Sequence, residues 1–204
     1  LTENHITLQK AAQAVTMQLP EKPAPDSVVE ALLMCEKQAK KQPANYQLQD
    51  FLGEWRLCFI TGTKKTRRRA GIVLGAGRYL PQWVKITLTY SSAILTKTEV
   101  IKSQDFEVGQ VQNSVTIGGL QFILSGPIKL MKHKILAFDF TQATVKLFGL
   151  KMYQGKMRGG AESEESFYTQ SIQKQAFFAY FVVKDDMIAA RGKGGGLAIW
   201  GKQQ

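Results

Sequence analysis

Two histidines and two cysteines are the side chains of this 204-residue chain best suited to ligate a metal or attack an electrophile, and their spacing supports neither. A zinc site draws three or four ligands together at short intervals, whereas His5, Cys35, Cys58 and His133 are scattered. His5 falls in a helical stretch. His133 lies between Lys132 and Lys134, where like charge favours a solvated face over a general base. Glu162, Glu164 and Glu165 crowd three carboxylates together, yet in a glycine-rich stretch they read as solvated charge rather than as a paired acid and base. There is no Gly-x-Ser-x-Gly elbow. Gly75-Ala76-Gly77 lacks the strand–helix context and downstream acid of a dinucleotide loop. The chain therefore reads as a binding protein, not an enzyme, with no catalytic set, no metal and no cofactor expected.

Charge is the strongest compositional signal. Twenty-seven Lys and Arg against sixteen Asp and Glu leave +11, which favours an anionic partner. The densest run is Lys64, Lys65, Arg67, Arg68 and Arg69, inside a long connection over residues 61–81 that continues through Ile72-Val73-Leu74 and Tyr79 and is followed by Trp83. Cations beside interfacial aromatics suit docking on an anionic membrane, at about 1 kcal/mol per cation near the surface. The expected membrane-binding set is those five cations with Tyr79 and Trp83. Nucleic acid is disfavoured, because the aromatics sit in apolar alternation rather than on an exposed basic face. Cys35 and Cys58 each sit in an apolar pattern and read as reduced, buried thiols. No run approaches the ~18 apolar residues of a spanning helix. The chain opens at Leu1 with no basic-then-apolar signal, so any targeting peptide is expected to be already gone or never to have existed.

The elements that must position a ligand follow from periodicity. Residues 1–50 predict a helical preface. Thr2 is placed to cap a first helix with Ile6, Ala11, Val15 and Leu19 as its stripe; Pro20, Pro23 and Pro25 stiffen a connector. Ser27 and Glu30 suggest a capping box for a second helix, with Val28, Ala31, Leu32 and Cys35 on one face and Pro43 as its stop. Residues 51–204 predict a mainly β domain. Trp55, Leu57 and Phe59 alternate with Arg56 and Cys58. Further strands are expected over 82–94, 99–102, 106–117, 120–124, 132–140, 143–148 and 177–183, then a last hairpin of 187–191 and 197–200. Residues 150–175 read as a loop with a short helix. Many short strands with tight turns point to a meandering antiparallel barrel or sandwich, closure removing the exposed edges.

A Gly-x-Trp on the first strand and a late Arg resemble what a lipocalin-like antiparallel barrel uses to close its bottom, indole under the barrel and guanidinium across it, and that is the fold expected here. Gly53, Trp55, Arg191 and Gly192 are the residues expected to do so here, with a cation–π contact of about 0.5–2 kcal/mol. A barrel of this size holds one small ligand or simply fills with side chains. The candidate wall is Ile86, Leu88, Tyr90, Leu136, Phe138, Phe140, Tyr180 and Val182, with Asn113 as a polar handle for a quinone or carboxylate; the alternative is that these residues fill a solid core.

Leu52-Gly53-Glu54-Trp55-Arg56-Leu57, Val111-Gln112-Asn113-Ser114-Val115 and Arg191-Gly192-Lys193-Gly194-Gly195-Gly196, in that order behind a helical preface, resemble the plastid lipid-associated proteins, also called fibrillins or plastoglobulins. The resemblance covers residues 27–201. It implies a lipocalin-like barrel that binds or shields a lipid, isoprenoid, carotenoid or prenylquinone, peripheral to thylakoid membranes or lipid globules in a plastid stroma or cyanobacterial cytoplasm. It also implies a link to photosynthetic stress tolerance and to protein partners. The chain departs from it at Lys193, where many relatives carry an acid, and at Val182-Val183-Lys184, where many carry Tyr-Leu-Asp. A second reading, a lipocalin-like bilin lyase for phycobiliproteins, requires cations inside the barrel to grip propionates; Arg56 and Lys85 are the residues it would use.

Overall fold

A computed structural model describes residues 2–62, 77–92, 106–157 and 160–203. Two helices, α1 (Glu3–Thr16) and α2 (Pro25–Lys41), precede a short 3-10 turn, Leu48–Phe51. The strands are β1 (Gly53–Thr61), β2 (Gly77–Tyr79), β3 (Val84–Ser92), β4 (Phe106–Ile117), β5 (Leu120–Met131), β6 (Ile135–Phe138), β7 (Gln142–Leu147) and β8 (Leu150–Lys156). A helix α3 (Ala161–Thr169) leads to β9 (Ala176–Val183), β10 (Met187–Gly192) and β11 (Leu197–Lys202). All pairings are antiparallel.

Eight strands close on themselves in chain order, β1-β3-β4-β5-β6-β9-β10-β11 and back to β1. The fold is thus a mainly β, lipocalin-like up-and-down barrel with an N-terminal helical segment. β7 and β8 lie outside the ring. The branch is on β5: its second half, Ile128 to Met131, pairs with β6, while its first half, Leu120 to Ser125, pairs with β7. The change of partner falls at Gly126-Pro127. A Cβ on Gly126 would collide with the carbonyl of Asp139, where the chain breaks between β6 and β7. Pro127 has no N–H, but its carbonyl accepts from Asp139 N–H at 3.2 Å, and Ser125 O accepts from Thr141 N–H at 3.0 Å.

Two cores result. One lies outside the wall, where Leu8 and Ala12 of α1 and Val28 and Leu32 of α2 cover Cys58, Phe59, Ala189 and Ile199. The helices can sit there because β-bulges turn extra apolar residues outward. β1 shifts register between Leu57 and Phe59, so Phe59 joins Cys58 outside instead of following Trp55 and Leu57 inward. β9 pairs Ala189 with Val182 but Ala190 with Tyr180, so Phe181 is extra and Val182 also faces the helices. The alternation expected for β1 is corrected accordingly, and Val182 leaves the inner wall it was expected to share with Tyr180. Helix α2 starts at Pro25 rather than at a Ser27–Glu30 box; Pro at the first position presets φ and needs no N–H partner. The stretch 99–102 lies outside the described residues. Within 150–175, expected as a loop with a short helix, the structure adds β8.

The other core fills the lower half of the barrel. The 3-10 turn inserts Phe51, fully buried, 4.8 Å from the Tyr180 ring and edge-on to Tyr90 at 6.3 Å. The Tyr90 and Tyr180 hydroxyls meet at 2.8 Å across the interior. Burial drives both phenols above their ordinary pKa, so the pair is neutral at physiological pH. Tyr180→Phe strands the other hydroxyl and should lower unfolding free energy by about 1–3 kcal/mol. The Tyr90→Phe/Tyr180→Phe double variant should recover part of that loss, read from urea unfolding of both proteins.

Candidate functional site

The residues first weighed for chemistry do not converge. Thr2 Oγ1 lies 2.6 Å from His5 Nδ1 at the start of α1, and exposed His133 sits in the β5–β6 turn at φ +56°. Glu164 accepts from Thr141 Oγ1 at 2.7 Å. Burial pushes the Cys35 thiol up to about 11 and the Cys58 thiol up to about 12, so neither is a thiolate near neutrality. Among the described residues, no group of three His, Cys, Asp or Glu could hold a metal ion.

Barrel closure is built differently from the expectation. Trp55 is fully buried and its indole N–H donates to Phe51 O at 2.6 Å, which ties the plug to β1. The cation over its ring is Lys202, 4.3 Å from the centroid, with the ammonium also donating to Leu52 O. Arg191 points the other way. It makes a two-pronged pair with Glu36 of α2, Nε at 2.7 Å and Nη2 at 2.6 Å, and donates to Gly195 O. It therefore fastens the helices to the outer wall instead of closing the barrel. Gly53 opens β1 at φ +118°, close against the Lys202 side chain, and Gly192 donates its N–H to Gly196 O in the last hairpin.

The candidate wall divides by height. Leu88, Tyr90, Leu136 and Tyr180 are buried in the filled lower half, packed in one cluster with Phe51 and Trp55. Val182, as noted, is outside the barrel. Ile86, Phe138 and Phe140 are only half-buried. Phe178 stacks on Phe138 at 5.1 Å and meets Trp200 edge-on at 5.2 Å, a partly covered aromatic layer above the plug.

Above that layer the inner face leaves the barrel. Directly paired residues share a face of a sheet. The register sets Ile86, Val115, Phe122, Val145 and Tyr153 in one row across β3, β4, β5, β7 and β8. Val84, Ile117, Leu120, Leu147 and Leu150 form the next row outward. None of the ten is buried, and Phe122, Leu147, Leu150 and Tyr153 are exposed. These rows form an apolar trough that begins as barrel interior and ends in solvent. At its root stands Asn113, paired between Leu88 and Leu124. Its Oδ1 is buried and, among the described residues, has no hydrogen-bond partner. Such an atom costs stability unless something satisfies it. Sequence reasoning singled out Asn113 and Ile86 but missed Phe122, Val145, Leu147 and Tyr153. Alternation placed Val145 and Leu147 on one strand face, but not that this face lacked a cover.

Of the residues assigned to membranes, Lys64, Lys65, Arg67, Arg68 and Arg69 lie outside the described residues. Tyr79 is committed elsewhere: its ring packs edge-on to Phe59 at 5.1 Å and its hydroxyl donates to Pro23 O at 2.8 Å. Trp83 is 69% exposed. The two cations a bilin would use are both on the outer surface. Arg56 donates to Val15 O of α1 at 3.4 Å, and Lys85 lies 3.3 Å from Glu54. No helix is long and apolar enough to cross a membrane among the described residues.

The fold and site define an antiparallel β-barrel plugged at one end and continued at the other by an apolar sheet that none of the described residues covers. The chain matches no protein-family model and no curated protein. Among solved structures it is similar to one described as "NMR structure of the protein from Burkholderia xenovorans", at 15% identity and a TM-score of 0.35, over 79% of this chain and 92% of that one.

The Glu36–Arg191 pair gives a test of how the helices are held. Hydrogen bonds from Arg191 hold the Glu36 carboxyl below its ordinary range. A carboxylate whose folded pKa is depressed adds stability that is complete above its unfolded pKa, about 4.3, and is lost as pH falls through the folded value. The stability gap between wild type and Glu36→Gln should therefore be constant from neutrality to about pH 5 and close below it in acid-titrated thermal melts. Arg191→Lys, which loses the two-pronged geometry, should cost about 1 kcal/mol at neutral pH.

Proposed function

We propose that the protein is a non-enzymatic binder of one elongated apolar molecule with a polar end, held along the trough with that end at Asn113. The observation that carries this reading is the continuity of the face. The side chains that fill the barrel give way, row by row, to apolar side chains of the same face that none of the described residues covers. Covering that face with hydrocarbon is favourable by ~0.8 kcal/mol per buried CH₂. The filled lower half sets the depth of the site and excludes deep enclosure. A ligand lies on the trough instead of inside a closed cup. Asn113 is suited to orient it, because its amide can accept from a ligand hydroxyl or, turned over, donate to a carbonyl.

The resemblance to plastid lipid-associated proteins extends the proposal to the ligand class, a lipid, isoprenoid, carotenoid or prenylquinone. It extends the setting to thylakoid membranes or lipid globules, with a link to photosynthetic stress tolerance. A bilin is less well served, since Arg56 and Lys85 lie on the other side of the wall.

Titration with a fluorescent polyene fatty acid should saturate at one site per chain. Phe122→Gln/Val145→Glu should weaken it at least about tenfold, a loss of about 1.4 kcal/mol, with little change in melting temperature because neither residue is buried. Asn113→Leu should weaken a long-chain alcohol by a similar factor while leaving a plain hydrocarbon unaffected. Equal saturable binding by wild type and Phe122→Gln/Val145→Glu removes the trough as the site.

A further inference from the structure

The most exposed apolar side chains are gathered at the outer end of the trough. In the two-residue turn between β7 and β8, Phe148 is 82% exposed, followed by Leu150 at 71% and Met152 at 64%. The turn is braced on the neighbouring β4–β5 turn by the Phe148 N–H, which donates to Gly119 O at 2.7 Å. Trp83 immediately precedes Val84, which pairs with Ile117 beside that same turn, so its exposed indole belongs to the same end.

Phe148 is in a costly conformation. Its φ is +48°, a region in which bulky L residues are rare and where two-residue hairpins use Asn, Asp or Gly. With most of its surface in solvent, the ring recovers little of that cost by packing within the fold. Strain retained at an exposed position points to a role outside the fold.

The opposite face of this sheet is cationic. Lys85, Thr116, Gln121, Lys146 and Lys151 stand in register on it. β7 and β8 carry Lys146, Lys151 and Lys156 and no acidic residue. An apolar tip backed by lysines is complementary to a surface with anionic phosphates above hydrocarbon. It is poorly suited to a second copy of itself, since β8 edges laid side by side would bring Lys151 and Lys156 near their own copies.

We propose that this tip docks the protein on an anionic lipid bilayer. Phe148 and Leu150 enter below the headgroups, Trp83 lies at the interface, and Lys146 and Lys151 meet lipid phosphates. Docking places the outer row of the trough at the membrane surface, and it does not require a ligand in the trough.

Flotation of the full chain with vesicles of phosphatidylcholine and phosphatidylglycerol, and with phosphatidylcholine alone, tests this. The wild type should bind the mixed vesicles, with binding falling as salt rises. Phe148→Asn/Leu150→Gln should cut the bound fraction about tenfold while melting no lower than wild type, because Asn suits the turn. Lys146→Gln/Lys151→Gln/Lys156→Gln should reduce binding to mixed vesicles by a similar factor. The lysine variant, whose residues stand outside both rows of the trough, should keep polyene titration within about twofold of wild type, which separates docking from ligand binding. Wild-type flotation by Phe148→Asn/Leu150→Gln overturns the proposal. So does a wild-type dimer in light scattering that the same two substitutions return to monomer.

Discussion

A strand offers only two edges, and β5 spends one of them on two different partners. β4 occupies the first edge along its whole length. The second is shared, with β6 near the plugged end and β7 near the open end. Everything distinctive about the molecule follows from that division. Where β6 takes the edge, the sheet curves on to β9 and the barrel closes; where β7 takes it, the sheet continues to β8 and stops. The switch needs a residue without a side chain opposite the Asp139 carbonyl, and Gly126 supplies it. It also tolerates the missing donor of Pro127, which elsewhere in a central strand would break the ladder.

The closed part is held from outside as well as inside. α1 and α2 cover one side of the wall, and the Glu36–Arg191 pair bolts α2 to β10. On another side Lys129, 2% exposed, reaches from β5 to the end of α3 and donates to the carbonyls of Phe167, Tyr168 and Gln170. Those carbonyls end a helix, where a cation complements both the unpaired acceptors and the dipole. Burial works against the charge, lowering the Lys129 pKa, and the three acceptors offset it. The barrel is thus fastened to helices on two flanks, whereas among the described residues the β7–β8 extension has no such fastening. That asymmetry is why the apolar inner face is hidden at one end and bare at the other.

Alternation made most strands legible, and β4 occupies the span its pattern predicts, because a half-buried strand shows its period directly. The bulges were not legible. One extra residue between two apolar ones leaves a run such as Cys58-Phe59 or Phe181-Val182 looking like ordinary alternation or a doubly buried strand. Its effect, turning Phe59 and Val182 to the helices, exists only once partners are known. Closure failed for a related reason. A guanidinium and an ammonium are equivalent candidates for an indole until the register is fixed. Pairing of Trp55 with Lys202 settles it in favour of the lysine. A weak signal was present, since Lys202 lies two residues beyond Trp200 on the same face of the last strand. β8 was lost because its residues are nearly all exposed, so no burial period marks it. The bare trough was invisible for the complementary reason: apolar spacing shows which face a residue occupies, not whether anything covers it.

An open sheet edge beside a bare apolar face is ordinarily an aggregation hazard. Here β8 is the edge, and it carries Lys151 and Lys156 among its exposed residues. Lys146 and Lys151 stand on the face behind the trough, and the chain as a whole has a net charge of +11. Repulsion between copies, acting over roughly a Debye length of 8–10 Å, keeps like surfaces apart in solution. The same charge weakens no contact with hydrocarbon and strengthens contact with an anionic surface. The lysines thus oppose pairing of the greasy face with its own copy, and on the docking proposed above they bias that face toward lipid. Phe148 and Asn113 mark the two ends of the route this creates, an apolar contact at the rim and an unsatisfied amide at the root. On the proposed reading, a molecule entering from the rim would exchange hydrocarbon for hydrocarbon along the rows between them and meet the unpaired Asn113 oxygen only where the barrel begins.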